Sequence, residues 1–195
     1  ARRSRTRGTR REAGAAMIND IAALRSDAGL AELAAEFGVP VILMHMRGDP
    51  RTMQVTPRYD DLVGEIYSFL QEAADVAERR GIARERLIVD PGIGFGKTGE
   101  HNLQLVRRLA DFAGLDLPLL VGPSRKSFIR RLVQPAGEPD IAPDQPVVET
   151  GTQAAVAASV FNGAHIVRVH DVANTVATVN VVDAILNSGS TPRIH

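Results

Sequence analysis

Apolar residues along this chain fall into two kinds of segment, which alternate. Short continuous apolar runs, such as residues 40–48 and 86–97, are followed by segments such as 59–81, where apolar residues recur every three or four positions. The second pattern predicts amphipathic helices. Continuous runs between helices are typical of parallel strands buried on both faces. The chain is therefore predicted to be an α/β protein.

The same patterns give boundaries for each predicted element. Strands are predicted within residues 15–20, 40–48, 86–97, 117–128 and 164–172. Helices are predicted at residues 24–38, 59–81, 101–114, 127–133, 150–163 and 174–189, with a loop at 134–146. Ser124 is a predicted N-cap for the helix that begins at 127.

Five strand–helix units fit either a doubly wound sheet or part of a (β/α)₈ barrel. The polar residues decide between them, because every apolar run ends in side chains that carry chemistry. These are Asn19, Asp20, His45, Asp90, Lys126, Arg168 and His170. A barrel gathers all its C-terminal strand ends around one mouth, whereas a doubly wound sheet favours one switch point. The sequence therefore predicts a (β/α)₈ TIM barrel, incomplete in this chain.

Composition narrows the classes of protein further. The chain has 195 residues, 44% apolar and 24% charged, and no cysteine. Disulfides, thiolate metal sites and thiol catalysis are excluded. No apolar run approaches the roughly 20 residues needed to span a bilayer, and no secretory signal is visible. We expect a cytoplasmic protein without a membrane partner.

The N-terminal arm, residues 1–11, differs from the rest. It holds six arginines and no acid, which leaves 17 basic and 23 acidic residues elsewhere. A mildly acidic body does not suggest a nucleic-acid surface, so no nucleic-acid partner is expected. We predict that the arm is disordered or an artefact such as out-of-frame translation, that residues 12–188 form the domain, and that 189–195 form a tail.

The stretch "VDPGIGFGKT" (89–98) resembles a phosphate-binding loop but fails its requirements. Pro91 stands where the first glycine of a Walker A loop must be. Gly92, Gly94 and Gly96 alternate strictly, which a dinucleotide fingerprint does not. We expect these glycines to let the backbone turn tightly and pass close to a flat ligand.

Asp90 follows a buried strand, and a carboxylate there needs partners. One interpretation is a cap, or an ion pair with Lys126 or Arg168. The other is recognition of adjacent N–H donors, such as the guanidine-like edge of a pterin or guanine. Asn19 is interpreted either as a turn residue or as a ligand of the same ring edge. For His45, a hydrogen-bonded core position is favoured over a ligand role.

Two further groups suggest an anionic ligand. Ser124, Lys126 and Ser127 precede or begin a predicted helix, where backbone N–H groups and a lysine can bind an anion. The alternative is a capped helix with solvated charges. Arg168 and His170 alternate along a predicted strand, so they share one face and suit a phosphate or pyrophosphate.

With these motifs together, the chain resembles the dihydropteroate synthases, the folate-pathway members of the pterin-binding barrels. The resemblance covers about residues 12–188 through "MIND", "LMHMRGDPRTMQ", "LIVDPGIGFGKT", "LLVGPSRKSFI" and "GAHIVRVHDV". It implies a transferase that condenses 6-hydroxymethyl-7,8-dihydropterin pyrophosphate with p-aminobenzoate and releases pyrophosphate. It also implies Mg²⁺ on the leaving group.

The resemblance assigns a role to each matching pterin contact. Asn19 and Asp90 match the residues that hold the pterin edge, and Arg168 matches the arginine that packs over the pterin. Positions that line the pocket are matched by Met44, Phe95 and Gly122.

The remaining matches concern the second substrate and the leaving group. Lys126 matches a lysine that reaches the pterin and borders the aminobenzoate pocket. Ser127 matches a serine near the aminobenzoate carboxylate, and His170 matches the histidine that binds pyrophosphate. Lys126, Arg168 and His170 are the expected catalytic residues.

The chain departs from the family at its front, because its strands match only the fourth to the eighth. The loop whose asparagine holds Mg²⁺ belongs to the earlier part, so no metal ligand is expected in this chain. Five strands cannot close the barrel and leave two open edges. We expect poor solubility or dimerisation through those edges and little synthase activity. The resemblance also suggests a homodimer.

Two other functions stay open. A related pterin-binding barrel transfers a methyl group from methyltetrahydrofolate to a corrinoid partner, and it shares the Asn and Asp ring-edge contacts. It does not need the cationic strand ends "SRKS" and "RVH", which favour a pyrophosphate substrate. The third possibility is a non-catalytic fragment that binds pterin or nothing.

Overall fold

A computed structural model describes residues 16–25, 29–48, 57–137 and 140–189. Its strands are β1 (Ile18–Asp20), β2 (Val41–Met44), β3 (Leu87–Asp90), β4 (Leu120–Val121) and β5 (Ile166–Val167). Its helices are α1 (Gly29–Phe37), α2 (Leu62–Arg79), α3 (Gly99–Arg107), α4 (Ser127–Val133), α5 (Pro146–Phe161) and α6 (Val172–Asn187). The predicted arm at 1–11 and most of the predicted tail lie outside the described residues.

The strands are all parallel and lie side by side in chain order. β1, β2 and β3 form one sheet, and β4 pairs with β5. A parallel bridge between Val89 and Leu119 joins the two parts. A doubly wound sheet reverses its order at a switch point, whereas a barrel keeps chain order. The prediction of a partial barrel is confirmed: five strands form an open wall, not a closed sheet.

Each strand packs against a different apolar layer on each of its two faces. On the outer face, Val41, Leu43 and Val89 join the main core with the helices. On the inner face, residues from four adjacent strands form a small cluster of Ile42, Ile88, Leu120 and the partly buried Ile166. The strands are buried on both sides, which explains their continuous apolar sequence.

Helix α2 illustrates how the sequence sets the boundaries of an element. The Asp61 side chain accepts a hydrogen bond from the backbone N–H of Gly64 and caps its first turn. Gly81 follows the helix with φ +89°, a conformation that favours glycine. The apolar stripe of α2, which includes Ile66 and Leu70, is fully buried against the sheet.

Several helix starts, and one N-cap, differ from the prediction. Helix α3 begins two residues earlier, because Thr98 caps it reciprocally with His101. Helix α5 begins at Pro146 rather than at 150, since a proline is compatible with the first helical turn. Ser124 is not the N-cap of α4. That position belongs to Lys126, which makes no side-chain capping bond.

The predicted helix at 101–114 is two elements. Helix α3 ends at Arg107, and a 3₁₀ segment follows from Leu109 to Leu115. Asp116 ends this segment with a left-handed conformation, φ +51°. The apolar spacing did not reveal the break, because Leu109, Phe112 and Leu115 stay buried in the tighter helix, which repeats every three residues.

The C-terminal side of the wall leaves apolar side chains in solvent. Helix α6 buries only Thr175 and Val182 within the described structure. Its exposed apolar residues are Val172, Val176, Val181, Ile185 and Leu186. Among the described helices, none combines the length and the apolar character that a bilayer-spanning segment requires.

A core substitution tests the packing of α2 on the sheet. Leu70→Ala should lower the free energy of unfolding by about 2–5 kcal/mol, because Leu70 is fully buried and the change leaves a cavity. Leu132→Ala is the matched control: Leu132 is 63% exposed, so its loss should stay within about 0.5 kcal/mol. Urea unfolding measures both, and equal losses would contradict the assigned packing.

The open edge at β1 generates a second prediction. Met17, next to β1, is 43% exposed, and Met17→Lys should weaken self-association because a charged edge resists strand pairing. Leu132→Lys introduces the same charge away from the strands. Sedimentation velocity over a range of concentrations compares the variants. A wild-type chain that stays monomeric throughout would rule out edge pairing.

Candidate active site

The residues of the site follow the inner apolar layer by two positions on each strand. Side chains alternate across a strand, so the residue two positions after an inward residue also points inward. Two residues beyond Ile42, Ile88, Leu120 and Ile166 come Met44, Asp90, Gly122 and Arg168. The register pairs Met44 with Asp90 on neighbouring strands. Four of the expected site residues therefore form the rim of one inner surface.

Asp90 is buried, with 1% of its surface exposed, and both of its carboxylate oxygens are engaged. The backbone N–H of Gly92 donates to Oδ1 at 2.7 Å, and Arg168 Nη2 donates to Oδ2 at 3.1 Å. Burial raises the pKa of Asp90, while Arg168, the Gly92 N–H, Lys97 and Lys126 oppose that rise. The ion-pair interpretation of Asp90 is confirmed for Arg168.

Arg168 connects the two ends of the open wall. Its Nη1 donates to Asn19 Oδ1 at 3.1 Å, while Nη2 is bonded to Asp90. Asn19 is 149 residues away in sequence, on β1. The guanidinium lies against Gly122, where a Cβ atom would stand 3.0 Å from Nη2. One planar group thus bridges two acceptors, and a glycine makes room for it.

Lys126 and Phe95 meet beside this bridge. The Lys126 ammonium lies 4.0 Å from the centre of the Phe95 ring. The lysine stem passes over Gly94, where a Cβ atom would come within 2.8 Å of its Cδ. Burial lowers the pKa of Lys126, although Asp90 acts in the opposite direction. The pair presents an aromatic face and a positive charge together.

The loop after β3 is locked to the loop after β2. Gly92 has φ +73°, and a Cβ built on it would overlap the carbonyl oxygen of His45. The Lys97 ammonium lies 3.0 Å from His45 Nδ1 and donates to the carbonyl of Phe95 at 3.0 Å. Lys97 is 3% exposed. The expected tight turn at the glycines is confirmed, while their passage close to a flat ligand stays a prediction. Lys97 faces inward rather than toward a phosphate cradle.

His45 is a hydrogen-bonded core residue, as the sequence favoured. It is 5% exposed and packs edge-on against Phe69, with ring centres 4.8 Å apart. Burial, helped by the neighbouring Lys97, lowers the pKa of His45 to about 3. Burial also lowers the pKa of Lys97 to about 7, while Asp90 raises it. His45 is therefore neutral at physiological pH, and its Nδ1 can accept a bond from Lys97.

Two expected site residues lie apart from the bridge. His170 Nδ1 is 2.8 Å from the Ser124 hydroxyl, which also accepts from the His170 backbone N–H. Ser127 is exposed at the start of α4 and lines a cavity of about 540 Å³ with Thr98 and Arg131. Among the described contacts, neither His170 nor Ser127 bonds to Asp90 or Asn19.

The expected placement of Arg168 and His170 on one strand face is wrong. Strand β5 ends at Val167, so both residues follow it. The backbone N–H of Arg168 still bonds to Val121, which keeps Arg168 directed inward. His170 lies beyond this last bond and turns to Ser124 instead. Residues past the end of a ladder are not bound by its two-residue alternation.

Lys97 is the site residue that the motif analysis missed. It belongs to a motif that fails the requirements of a phosphate loop, so the motif predicts no role for it. A simple count would have singled it out, because the chain has 21 arginines and only two lysines, Lys97 and Lys126. Both lysines stand at this site.

A metal-binding cluster is not among the features of this rim. Within the described ranges, no group of three or more His, Cys, Asp or Glu side chains could hold an ion. Asp90 is the carboxylate of the rim, and cations face it. Mg²⁺ prefers several oxygen ligands, so the residues present do not fit a resident Mg²⁺ ion.

Several known proteins with similar sequences and folds are named dihydropteroate synthases. A 46% identical relative is the dihydropteroate synthase of Escherichia coli (strain K12), aligned over 180 residues, 92% of this chain and 61% of that protein. The relative in Synechocystis sp. (strain ATCC 27184 / PCC 6803 / Kazusa) has the same name and is 44% identical, over 89% of this chain and 58% of its own. The chain thus spans about 61% of the length of the first of these relatives.

Solved structures that resemble this chain are also dihydropteroate synthases. The Yersinia pestis dihydropteroate synthase in complex with a sulfonamide drug superposes with a TM-score of 0.87 at 40% identity, over 94% of this chain and 64% of that one. The Xanthomonas albilineans enzyme with 4-aminobenzoic acid gives a TM-score of 0.83 at 40% identity, over 97% and 63%. The sequence model of the family described as pterin binding enzyme matches residues 6–170. The chain belongs to the family of pterin binding enzymes.

Proposed function

We propose that this chain carries the pterin-binding and catalytic residues of a dihydropteroate synthase, a transferase of folate biosynthesis. The reaction joins 6-hydroxymethyl-7,8-dihydropterin pyrophosphate to p-aminobenzoate. The C–O bond to pyrophosphate breaks, pyrophosphate leaves with the electron pair, and the amine nitrogen forms the new C–N bond and releases a proton. The relatives' names support this assignment.

The bridge made by Arg168 is the observation that carries the proposal. A guanidinium is planar and presents parallel N–H donors. Arg168 uses them to bond to Asp90 and Asn19 at once. The same two acceptors therefore suit the 2-amino edge of a pterin, which is also planar and rich in N–H donors. In this mechanism the pterin replaces the guanidinium between Asp90 and Asn19, and Arg168 moves to pack over the ring.

The second substrate needs orientation more than activation, because an aromatic amine is already nucleophilic. The Phe95 ring and Lys126 provide a flat apolar face beside a positive charge. We assign the aminobenzoate to this face, with its carboxylate toward Ser127. The Xanthomonas albilineans relative was solved with 4-aminobenzoic acid and with 7,8-dihydropteroate, which supports a site of this kind.

Departure of pyrophosphate builds negative charge on the leaving group. Arg168 and His170 are the groups we assign to it, because a displaced guanidinium and an exposed imidazole can both donate to phosphate oxygens. Asp90 meanwhile holds negative charge near the electron-poor pterin. Met44 and Gly122 shape the wall behind the ring.

Mg²⁺ remains a prediction from the family resemblance. The described residues do not form a fitting set of oxygen ligands for it, so we derive no step of the reaction through the metal. The homodimer and the cytoplasmic location are likewise predictions. Because the chain spans 61% of the first relative's length, substrates and turnover belong to the proposal for the whole protein.

Calorimetry tests the proposed ligand directly. The chain should bind 6-hydroxymethyl-7,8-dihydropterin pyrophosphate, measured with and without Mg²⁺. Asp90→Asn should weaken binding by at least about tenfold, because the amide replaces one acceptor with a donor. Asp183→Asn, an exposed acid on α6, makes the same chemical change away from the rim and should bind like the wild type. Preference for methyltetrahydrofolate would favour a methyltransferase, and no heat would favour a non-catalytic fragment.

Turnover is a separate prediction. A polypeptide of these 195 residues alone should show little synthase activity in a radiolabelled aminobenzoate assay. Its five described strands leave the barrel open, so water reaches the rim and weakens each electrostatic contact there. A fully active, monodisperse monomer would contradict this prediction without affecting the binding result.

A further inference from the structure

The use of lysine in this chain is selective. There are 21 arginines against two lysines. Arginine holds the exposed ion pairs, for example Arg25 with Glu72 and Arg108 with Asp111. Both lysines lie at the proposed site instead. In the described part of the chain, Lys97 is also the only lysine or arginine among the buried residues.

The contacts of Lys97 explain why a lysine stands there. Its ammonium lies between two acceptors, the His45 ring nitrogen and the Phe95 carbonyl, each 3.0 Å away. An ammonium is a compact group with three donors at one atom, whereas a guanidinium spreads its donors over a wide plane. The space is also close to Gly92, where a Cβ atom would lie 3.4 Å from the Lys97 nitrogen. A compact group with its donors on one atom suits this space.

The two acceptors belong to different loops. His45 follows β2, and Phe95 lies in the turn after β3. Tyr59 adds a parallel tie, because its hydroxyl donates to the carbonyl of Gly96 at 2.8 Å. Lys97 therefore holds the backbone of Phe95, and the ring of the same residue lies under Lys126. The buried Lys97 thus acts through Phe95 on the partly buried Lys126.

We propose that Lys97 is a positioning residue: by tying the carbonyl of Phe95 to the ring of His45, it holds the Phe95 ring beneath the Lys126 ammonium. The inference deepens the proposed function, since this ring and ammonium are the groups assigned to the aminobenzoate. Lys97 touches no substrate in this arrangement. Its effect reaches the ligand through the placement of the aromatic face.

Two lysines make the test direct. Growth on ¹³C-labelled lysine gives NMR signals from Lys97 and Lys126 alone. In the wild type, the Lys126 ε-protons lie over the ring of Phe95 and should be shifted upfield, with a nuclear Overhauser contact to that ring. Lys97→Met keeps an unbranched side chain, one atom shorter than lysine, and removes its donors. The Lys126 signal should then lose most of its upfield shift.

Matched variants separate positioning from lost stability. Phe95→Leu removes the ring and defines the unshifted position of Lys126. Leu70→Ala destabilises the core away from the rim and should leave the Lys126 shift unchanged. His45→Phe retains Lys97 but removes its ring acceptor, so it should also reduce the shift, and it serves as the test if Lys97→Met does not fold. An unchanged Lys126 shift in a folded Lys97→Met or His45→Phe variant would overturn the proposal.

Ligand binding then separates this inference from the proposed function. In Lys97→Met, the affinity for p-aminobenzoate should fall about tenfold. The affinity for the pterin pyrophosphate should fall clearly less, through the loss of a positive charge near Asp90. Equal losses for both ligands would mean a general disruption and would overturn the positioning role. A wild-type chain that binds neither ligand but shows the NMR effects would refute the function and leave the contact network established.

Discussion

The buried carboxylate of Asp90 is the constraint on which the rest of the site depends. A charge with 1% exposure is stable only with partners, and Asp90 takes one from its own loop and one from the far end of the wall. The Gly92 N–H reaches it because the turn has a positive φ that glycine favours. Arg168 reaches it because Gly122 has no side chain. Gly92 and Gly122 therefore allow Asp90 to find its partners in the absence of any ligand.

Much of this could be predicted from the sequence, and the reason is the two-residue period of strands. An apolar residue that faces inward at Ile88 or Ile166 places Asp90 or Arg168 on the same face. Continuous apolar strands and helices in alternation fix the fold class in the same way. His170 does not follow the two-residue alternation, because it lies beyond the last backbone bond of β5 and turns toward Ser124. Ser124, for the same reason, is a partner of that histidine rather than a helix cap.

Other features depend on contacts that no local pattern carries. The break between α3 and the following 3₁₀ segment preserves the apolar spacing, so only the packed structure reveals it. The link between Lys97 and His45 spans 52 residues, and the link between Arg168 and Asn19 spans 149. For Lys97, the scarcity of lysine in the sequence indicates a special position, whereas the motif around it does not. A chain that is otherwise rich in arginine keeps lysine where geometry rather than charge alone sets the requirement.

The Arg168 bridge also defines which heterocycles the rim can discriminate. Arg168 donates to Asp90 and Asn19 from two coplanar nitrogens, and Asp90 is buried whereas Asn19 is exposed. An incoming ring must therefore return a donor to Asp90 or leave a buried acceptor unpaired. A 2-amino-4-oxopteridine has adjacent N–H groups on one edge, as guanine, a 2-amino-6-oxopurine, does, and it meets this condition. An adenine-like edge places an acceptor beside its amino group and fails it. Under the proposed function, the rim would favour a guanine-like edge over the adenine-like edge of abundant nucleotides, because an unpaired Asp90 oxygen is costly.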